Sequence, residues 1–256
     1  MSEMLREKYM RQATPFCAGC GHGIFMNAFL HAVDQVGLDF KGTVFVSGIG
    51  CAAWVPSPHF RADTLHVTHG RAIAFATGVK LNRPELDVIV ISGDGDIATI
   101  GGNHLIHAAR RNVPLKVFCL NNLVYGMTGG QVSATTPQGD ITSTTPEGNP
   151  ERAFDLVNLV RGAGAPYVAR FPVARPRPLT KGIVNALHFD QFAFMDVLSL
   201  CPTQYGRANR RRWGYEGPSL IWSMMEWQKR NCVDHEKASP DEAKNKILIG
   251  EWYEES

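Results

Sequence analysis

The sequence has no long hydrophobic run, no excess of charge of one sign and no internal repeat. No stretch approaches the roughly 18 uninterrupted apolar residues of a membrane-spanning helix. Its 26 basic residues nearly balance its 24 acidic ones, so the net charge is only +2. Such a balance does not indicate binding to nucleic acid or to a membrane surface. With 256 residues, 44% of them hydrophobic, the chain can build one sizeable core.

The first sixteen residues, MSEMLREKYMRQATPF, have neither an apolar segment nor a small-residue cleavage site typical of a secretory signal. We therefore expect a cytoplasmic protein, in which thiols stay reduced. In that compartment, a cluster of cysteines is more often a metal site or a catalyst than a set of disulfides.

Short apolar strands alternate with helical patterns through most of the chain. Residues 23–36 repeat apolar positions at helical spacing, and Gly37 supplies a stop signal. Residues 87–96, DVIVISGDGD, are a continuous β-branched run that ends in glycines. That pattern is typical of a parallel strand buried on both faces. The alternation predicts an α/β fold, a doubly wound and mainly parallel sheet with helices on both faces.

Two segments do not follow this alternation. Residues 126–150 contain no periodic element, and a loop of that length inside a compact domain is usually functional. Residues 202–256 contain aromatic helical pieces but no strand pattern. We therefore predict an α/β domain over residues 1–201 and a C-terminal extension over residues 202–256 that packs on the domain or on a partner subunit.

Polar residues follow two neighbouring strands where each strand ends. Asp94 lies in Gly93-Asp94-Gly95-Asp96, and Asn122 ends the next predicted strand. Because a strand–helix–strand unit brings both ends to one edge of the sheet, these side chains can supply two oxygens to one Mg²⁺ ion. The glycines let the backbone approach a diphosphate, and the following helix offers free N–H groups. The alternative is a surface turn followed by an ordinary Asn-rich turn.

Four cysteines are expected at this same edge. Cys17 and Cys20 lie in the glycine-rich segment CAGCGHG, Cys51 follows a strand-end turn, and Cys201 ends the last predicted strand. Four thiolates from three segments suit either zinc or an iron–sulfur cluster. One Cys-x-x-Cys pair with two distant cysteines fits a zinc ribbon less well, and a redox pair at a helix start remains an alternative.

The sequence resembles a known family in the order of six motifs. These motifs are FCAGCGHG, GIGC, THGRAIAFATG, GDGD, NNLVYGMTGGQ and LSLCPTQYG. They occur in this order in β subunits of 2-oxoacid:ferredoxin oxidoreductases, and the resemblance runs from about residue 10 to residue 215. Gly-Asp-Gly followed by Asn-Asn is the signature of thiamine diphosphate (TPP) enzymes. The segments PSPHF, DTLHVTHGR and GGNHLIHAARRN look most similar to the 2-oxoglutarate branch.

The resemblance implies three sets of site residues. The implied ligands of Mg²⁺ are Asp94, Asn122 and the carbonyl of Val124. The implied ligands of a 4Fe–4S cluster are Cys17, Cys20, Cys51 and Cys201. The implied contacts of TPP are Ile49, Gly50, Cys51, Ala52, Thr68, His69, Gly70, Arg71, Gly95, Asp96, Gly126 and Met127. Since His69 precedes a glycine at a helix start, we expect its imidazole N–H to meet a phosphate oxygen.

The implied reaction is the oxidative decarboxylation of a 2-oxoacid, 2-oxoglutarate in particular, to the acyl-coenzyme A, with electrons leaving through the cluster to ferredoxin. Pyruvate or a branched-chain 2-oxoacid is the alternative substrate. Many relatives have Gly-Lys after the third cysteine and a lysine in the YGxTxGQ loop. Here those places hold Ala53-Trp54 and Gly129. The substrate contacts of those lysines therefore do not transfer, and Arg71 or a partner residue would have to replace them.

The resemblance also implies a partner. The glutamate that binds the aminopyrimidine ring of TPP belongs to the family's α subunit, so we expect an αβ pair, dimerised again, and an inactive isolated chain. Two other classes remain. A cluster-free TPP decarboxylase or carboligase subunit leaves the four cysteines unexplained. A zinc-stabilised binding module leaves Asp94 and Asn122 unexplained.

Several further residues have no firm role in the sequence. His22 beside the cysteine pair is unassigned. His104 and His107 lie three positions apart on one predicted helix, but no third ligand is evident, so structural or solvated roles are favoured. The basic run Arg207–Arg212 is more consistent with a charged surface or a subunit contact than with a site that guides an acidic ferredoxin or a coenzyme A phosphate.

Overall fold

The structure, a computed structural model, describes residues 3–214 and 219–254. The strands are β1 (Thr43–Ser47), β2 (Asp63–His66), β3 (Asp87–Gly93), β4 (Lys116–Asn121), β5 (Val124–Tyr125), β6 (Gln131–Val132), β7 (Tyr167–Pro172), β8 (Ala193–Leu198), β9 (Cys232–Asp234) and β10 (Ile247–Tyr253). Eight of them form one sheet in the order β2-β1-β3-β4-β8-β7-β10-β9, and β5 pairs with β6 in a separate hairpin.

The helices are α1 (Glu3–Tyr9), α2 (Gly21–Val36), α3 (Ala72–Asn82), α4 (Gly102–Arg110), α5 (Leu156–Gly162), α6 (Pro176–His188), α7 (Leu220–Asn231) and α8 (Pro240–Asn245). Within the described residues, none of these helices has the length and apolar character needed to cross a bilayer. The helix predicted over residues 23–36 is confirmed as α2. It ends at Gly37, whose φ of 69° places it in the left-handed conformation that glycine adopts at little cost.

Helices cover both faces of the sheet. One buried cluster contains side chains from α2, α6 and α7, including Phe25 and Phe29, which pack on Phe45 and Phe118 of the sheet. The second cluster contains side chains from α3, α4 and α5, such as Leu105. The doubly wound α/β fold predicted from the alternation of strands and helices is therefore confirmed.

The direction of the strands decides where the site lies. From β2 to β7 every neighbouring pair is parallel, and only β10 runs antiparallel to its neighbour β7. The carboxyl ends of β1, β3, β4 and β8 therefore meet at one edge. In an open parallel sheet, ligands bind beyond this edge.

The expectation that the C-terminal segment lacks strands is wrong. Trp252 of β10 pairs with Val168 of β7, and β9 pairs with β10 in parallel. The pairing provides hydrogen-bond partners for the backbone N–H and C=O groups along the free edge of β7. A contact between strands so far apart in the chain cannot be read from a local sequence pattern. Residues 215–218 and 255–256 of the predicted extension, like residues 1–2 of the predicted domain, lie outside the described residues.

Candidate active site

Asp94 and Asn122 lie side by side at the carboxyl edge of the sheet. Asp94 follows β3 and Asn122 follows β4, and the backbone N–H of Asn122 donates a hydrogen bond of 3.3 Å to the Asp94 carboxylate. Neighbouring parallel strands thus bring together two residues that are 28 positions apart in the chain.

The Asp94 carboxylate is almost completely buried, with 1% of its surface exposed. It accepts hydrogen bonds from the hydroxyl groups of Ser133 and Thr135. Burial nevertheless raises the pKa of this carboxyl group. In the described part of the chain, no lysine, arginine or histidine nitrogen forms an ion pair with it. A buried carboxylate of this kind suits a cation that its own chain does not supply.

Asp96 holds two loops of the site together. Its carboxylate accepts hydrogen bonds from His69 Nδ1 and from the backbone N–H of Gly70, both at 2.6 Å, and a weaker one from the N–H of Ile49 at 3.4 Å. A Cβ atom at Gly48 would overlap the same carboxylate, so only glycine fits there. Asp96 therefore joins the loop that carries Ile49 to the loop that carries His69 and Gly70.

A cleft opens between these loops. Twelve of the fifteen residues implied for Mg²⁺ and TPP line this cleft, and they are Ile49, Gly50, Cys51, Ala52, His69, Asp94, Gly95, Asp96, Asn122, Val124, Gly126 and Met127.

 Three of these twelve belong to the set implied for Mg²⁺ and nine to the set implied for TPP. The structure does not place Thr68, Gly70 or Arg71 in the cleft lining. Four lining residues were not predicted as cofactor contacts, and these are His22, Gly93, Tyr125 and Thr128.

Arg71, the residue expected to replace the missing lysines, is exposed at the start of α3. Its guanidinium donates a hydrogen bond of 3.3 Å to the carbonyl of Gly70.

Tyr125 is a residue that sequence reasoning missed. Its ring packs edge-on against His69, and its hydroxyl donates to the carbonyl of Gly95.

Thiols gather beside this cleft. The Sγ atoms of Cys201 and Cys51 lie 3.5 and 3.9 Å from the position that a Cβ atom on Gly126 would take. Cys20 joins them, because the backbone N–H of Gly21 donates to the carbonyl of Leu200, next to Cys201.

The thiols are also close enough to affect one another's ionisation. Burial raises the pKa of Cys20 to about 12, and the neighbouring thiols of Cys201 and Cys51 contribute to this rise. Burial likewise raises the pKa of Cys51 to about 11, with contributions from Cys201 and Cys17. Cys17 is the exposed member of the group. The structure thus brings together all four cysteines that the sequence singled out.

The spacing of the thiols differs from that of a single-ion site. In residues 3–214 and 219–254, no three histidine, cysteine or acidic side chains are placed around one metal ion. Among these residues, His104 and His107 on α4 likewise have no third side chain that would complete a metal site. The remaining cysteines, Cys119 of β4 and Cys232 of β9, are both buried.

Arg212, in the basic run after Cys201, pairs with a buried carboxylate. The guanidinium of Arg212 donates to both oxygens of Asp140 at 2.7 Å, and the buried hydroxyl of Tyr205 donates to the same carboxylate. This pairing fixes part of the loop at residues 126–150 against the segment that follows Cys201. Arg207 and Arg211 are exposed.

Comparison with known proteins identifies the family. Residues 48–197 match the family described as "Thiamine pyrophosphate enzyme, C-terminal TPP binding domain". The chain is 49% identical over 240 residues to the 2-oxoglutarate synthase subunit KorB of Methanothermobacter thermautotrophicus, a match that covers 93% of this chain and 81% of the relative. It is 39% identical over 203 residues to the ketoisovalerate oxidoreductase subunit VorA of the same organism, which covers 75% of this chain and 42% of that relative.

A solved structure is similar over the whole chain. It is the 2-oxoglutarate:ferredoxin oxidoreductase from Magnetococcus marinus with 2-oxoglutarate, coenzyme A and succinyl-CoA bound. The TM-score is 0.84 at 29% sequence identity, and the match covers 100% of this chain and 87% of the other. The chain therefore belongs to the family of thiamine-diphosphate-dependent 2-oxoacid:ferredoxin oxidoreductases, as a β subunit of the 2-oxoglutarate synthase branch.

Proposed function

We propose that this chain is the β subunit of an enzyme that oxidatively decarboxylates 2-oxoglutarate, transfers the succinyl group to coenzyme A and passes the electrons through a 4Fe–4S cluster to ferredoxin. One observation carries this proposal. The space beside Gly126 is bounded at once by the amide of Asn122 and by the thiols of Cys201 and Cys51. This closeness supports a site for a metal-bound diphosphate next to a group of thiols at the sheet edge.

The residues at the end of β3 and β4 fit Mg²⁺. Asp94 would supply a carboxylate oxygen, Asn122 an amide oxygen and Val124 its carbonyl. These hard oxygens are the donors that Mg²⁺ prefers, and the ion usually also binds substrate phosphates. Burial raises the pKa of the Asp94 carboxyl, and a bound cation would counteract this by favouring the ionised form.

The loops around the cleft fit a diphosphate cofactor. Bound TPP supplies a carbanion nucleophile and an electron sink for decarboxylation. His69 donates the proton on Nδ1 to Asp96, so Nε2 is the ring atom left for a ligand in the cleft. The hydrogen bond fixes the orientation of the imidazole, and the N–H of Gly70 on the same carboxylate fixes the loop that carries it.

The four thiols fit a cluster better than a single ion. A 4Fe–4S cluster binds four cysteine thiolates, one to each of four irons, so the thiols need not surround one point. Zinc would require all four to converge on one ion. Because burial raises the pKa of Cys20 and of Cys51, both are protonated at neutral pH without a metal, and metal binding would displace these protons. When loaded, the cluster supplies a one-electron acceptor next to the cleft.

A partner subunit would complete the site. Ile49 and Met127 line the cleft, yet 40% and 47% of their surfaces are exposed, and Phe75 on α3 is 50% exposed. Exposed apolar side chains of this kind are typical of a surface that another protein covers. The relatives are named as subunits, which supports an α subunit as that protein. The structural relative is a 2-oxoglutarate:ferredoxin oxidoreductase, which supports ferredoxin as the electron acceptor here.

The composition of the purified complex tests this proposal. The chain would be co-expressed with its α subunit and purified without oxygen, and iron, acid-labile sulfide and TPP would be assayed per αβ pair. We expect about four irons, four sulfides and one TPP. An iron-free complex that binds TPP would instead support a cluster-free decarboxylase or carboligase, and a preparation that holds zinc and no TPP would support a binding module.

A further inference from the structure

His22 is a buried histidine with a partner at each ring nitrogen. It lies in the first turn of α2, two residues after Cys20, and 1% of its surface is exposed. Nδ1 lies 2.9 Å from the hydroxyl of Ser199, which follows β8. Nε2 lies 3.4 Å from the amide nitrogen of Asn122. One ring therefore connects the cysteine segment with a residue of the Mg²⁺ site.

The Asn122 amide is held from two sides. Its Oδ1 accepts a hydrogen bond of 3.2 Å from the backbone N–H of Val124. Its Nδ2 faces Nε2 of His22. If the amide were rotated by half a turn, Nδ2 would face the N–H of Val124, and two donors would oppose each other. The stable arrangement has Nε2 of His22 as the acceptor and the ring proton on Nδ1, which donates to Ser199.

A neutral ring is consistent with this arrangement. A neutral imidazole has one donor and one acceptor, and each has a matching partner in Ser199 and Asn122.

Gly21 makes the position of the ring possible. A Cβ atom at Gly21 would overlap both the backbone nitrogen of Leu200 and the hydroxyl of Ser199. Only glycine lets the start of α2 come this close to the end of β8. The Gly-His step in the cysteine segment is therefore required by packing against the segment that carries Ser199 and Cys201.

We propose that His22 is a positioning residue for Asn122: its Nε2 holds the amide nitrogen, so that the amide oxygen is presented to Mg²⁺. This inference rests on the proposed function, because it takes Asn122 as a ligand of the ion. The groups that hold metal ligands in place commonly change metal affinity by about 10- to 100-fold when they are removed.

Two substitutions distinguish the hydrogen bond at Nε2 of His22 from the one at Nδ1. His22→Gln can place an acceptor oxygen near the position of Nε2, whereas His22→Asn is shorter and reaches only the position of Nδ1. Both variants and the wild type would be made as complexes with the α subunit, freed of TPP and Mg²⁺. Binding of TPP would then be titrated against Mg²⁺ by calorimetry, and iron would be assayed in the same samples.

We expect His22→Asn to raise the Mg²⁺ concentration for half-saturation by about 10-fold or more, and His22→Gln to stay within about threefold of the wild type. Iron content should be equal in all three. Wild-type Mg²⁺ dependence in His22→Asn, or equal losses in both variants, overturns the positioning role while leaving the proposed function in place. A wild-type complex that binds no TPP at any Mg²⁺ concentration overturns the proposed function itself.

Ser199→Ala provides a second variant, in case neither His22 variant folds. It removes the partner of Nδ1 and leaves the contact with Asn122, so the ring loses one of its two restraints. We expect a rise of about fivefold in the Mg²⁺ requirement with unchanged iron content, which is the factor that corresponds to the roughly 1 kcal/mol of one neutral hydrogen bond. An unchanged Mg²⁺ requirement would count against the proposal.

Discussion

The carboxylate of Asp96 accepts a hydrogen bond of 2.6 Å from Nδ1 of His69, 27 residues away in the chain. The same carboxylate accepts a hydrogen bond of 2.8 Å from the hydroxyl of Ser92 at the end of β3. The bond to His69 therefore ties the loop before α3 to the end of a central strand. A rigid strand end positions the imidazole that faces the cleft.

Asp96→Asn should weaken TPP binding. His69 Nδ1 and the N–H of Gly70 donate to the same oxygen of Asp96, and a neutral amide oxygen accepts both hydrogen bonds less strongly than a carboxylate does. The amide nitrogen would also face the Ser92 hydroxyl, from which it cannot accept a hydrogen bond. We expect the dissociation constant of TPP, measured by calorimetry with saturating Mg²⁺, to rise about 10- to 100-fold. Asp190→Asn, at an exposed position far from the cleft lining, is the matched control and should bind like the wild type. Unchanged affinity in Asp96→Asn would contradict the positioning of His69 by this carboxylate.

Cys51→Ala and Cys201→Ala should each lower the iron content of the anaerobically purified complex. Each substitution removes one of the four expected thiolate ligands, and both of these thiols lie beside Gly126. Cys232→Ala changes a buried cysteine of β9 that belongs to no thiol group, and it should retain full iron. Iron and sulfide assays measure the difference. Full iron in both Cys51→Ala and Cys201→Ala would show that these thiols are not ligands.

Gly126→Ala should affect TPP and the cluster together. The added methyl group would lie 3.4 Å from Nδ2 of Asn122 and 3.5 Å from Sγ of Cys201, so it fills the space where the two sites meet. We expect a loss of TPP affinity of about 10-fold, together with lower iron content, because the methyl group would occupy space that the two cofactors need. Gly78→Ala on α3 has open space around the added methyl group and should bind both cofactors normally. Normal TPP affinity and iron content in Gly126→Ala would argue against a shared space.

Arg170→Met should destabilise the fold without touching the cleft. Arg170 is buried in β7 and pairs with Asp196 at 2.8 Å and with Asp155 at 2.5 Å. Its removal leaves the carboxylate of Asp196, 1% exposed, without a cation, which costs about 3–5 kcal/mol. Thermal melting should show a clearly lower midpoint, and Arg177→Met at an exposed position should not. If both variants melt alike, the buried ion pair is not important for stability.

Much of the site could be predicted because it lies at strand ends. Asp94 and Asn122 are recognisable from the apolar runs that precede them, and the topology of a parallel sheet then brings them together. The same reasoning placed Cys51 and Cys201 at that edge. Local patterns were sufficient for these residues because each one sits next to a strand.

Other parts could not be predicted, because they depend on contacts between distant segments. Ser133 and Thr135 bind the Asp94 carboxylate from 39 and 41 residues away, out of a loop with no periodic pattern. The partners of His22 are 177 and 100 residues distant. β2 is an exposed edge strand with the polar sequence DTLH, so it lacks the apolar run that marks a central strand.

The most direct test of the account is the anaerobic reduction of a viologen dye by the complex of this chain with its α subunit, compared across 2-oxoglutarate, pyruvate and 2-oxoisovalerate, with and without coenzyme A. We expect reduction that requires coenzyme A and is fastest with 2-oxoglutarate, and no reduction by this chain alone. Faster turnover of pyruvate or 2-oxoisovalerate, or full turnover without the α subunit, would contradict the account.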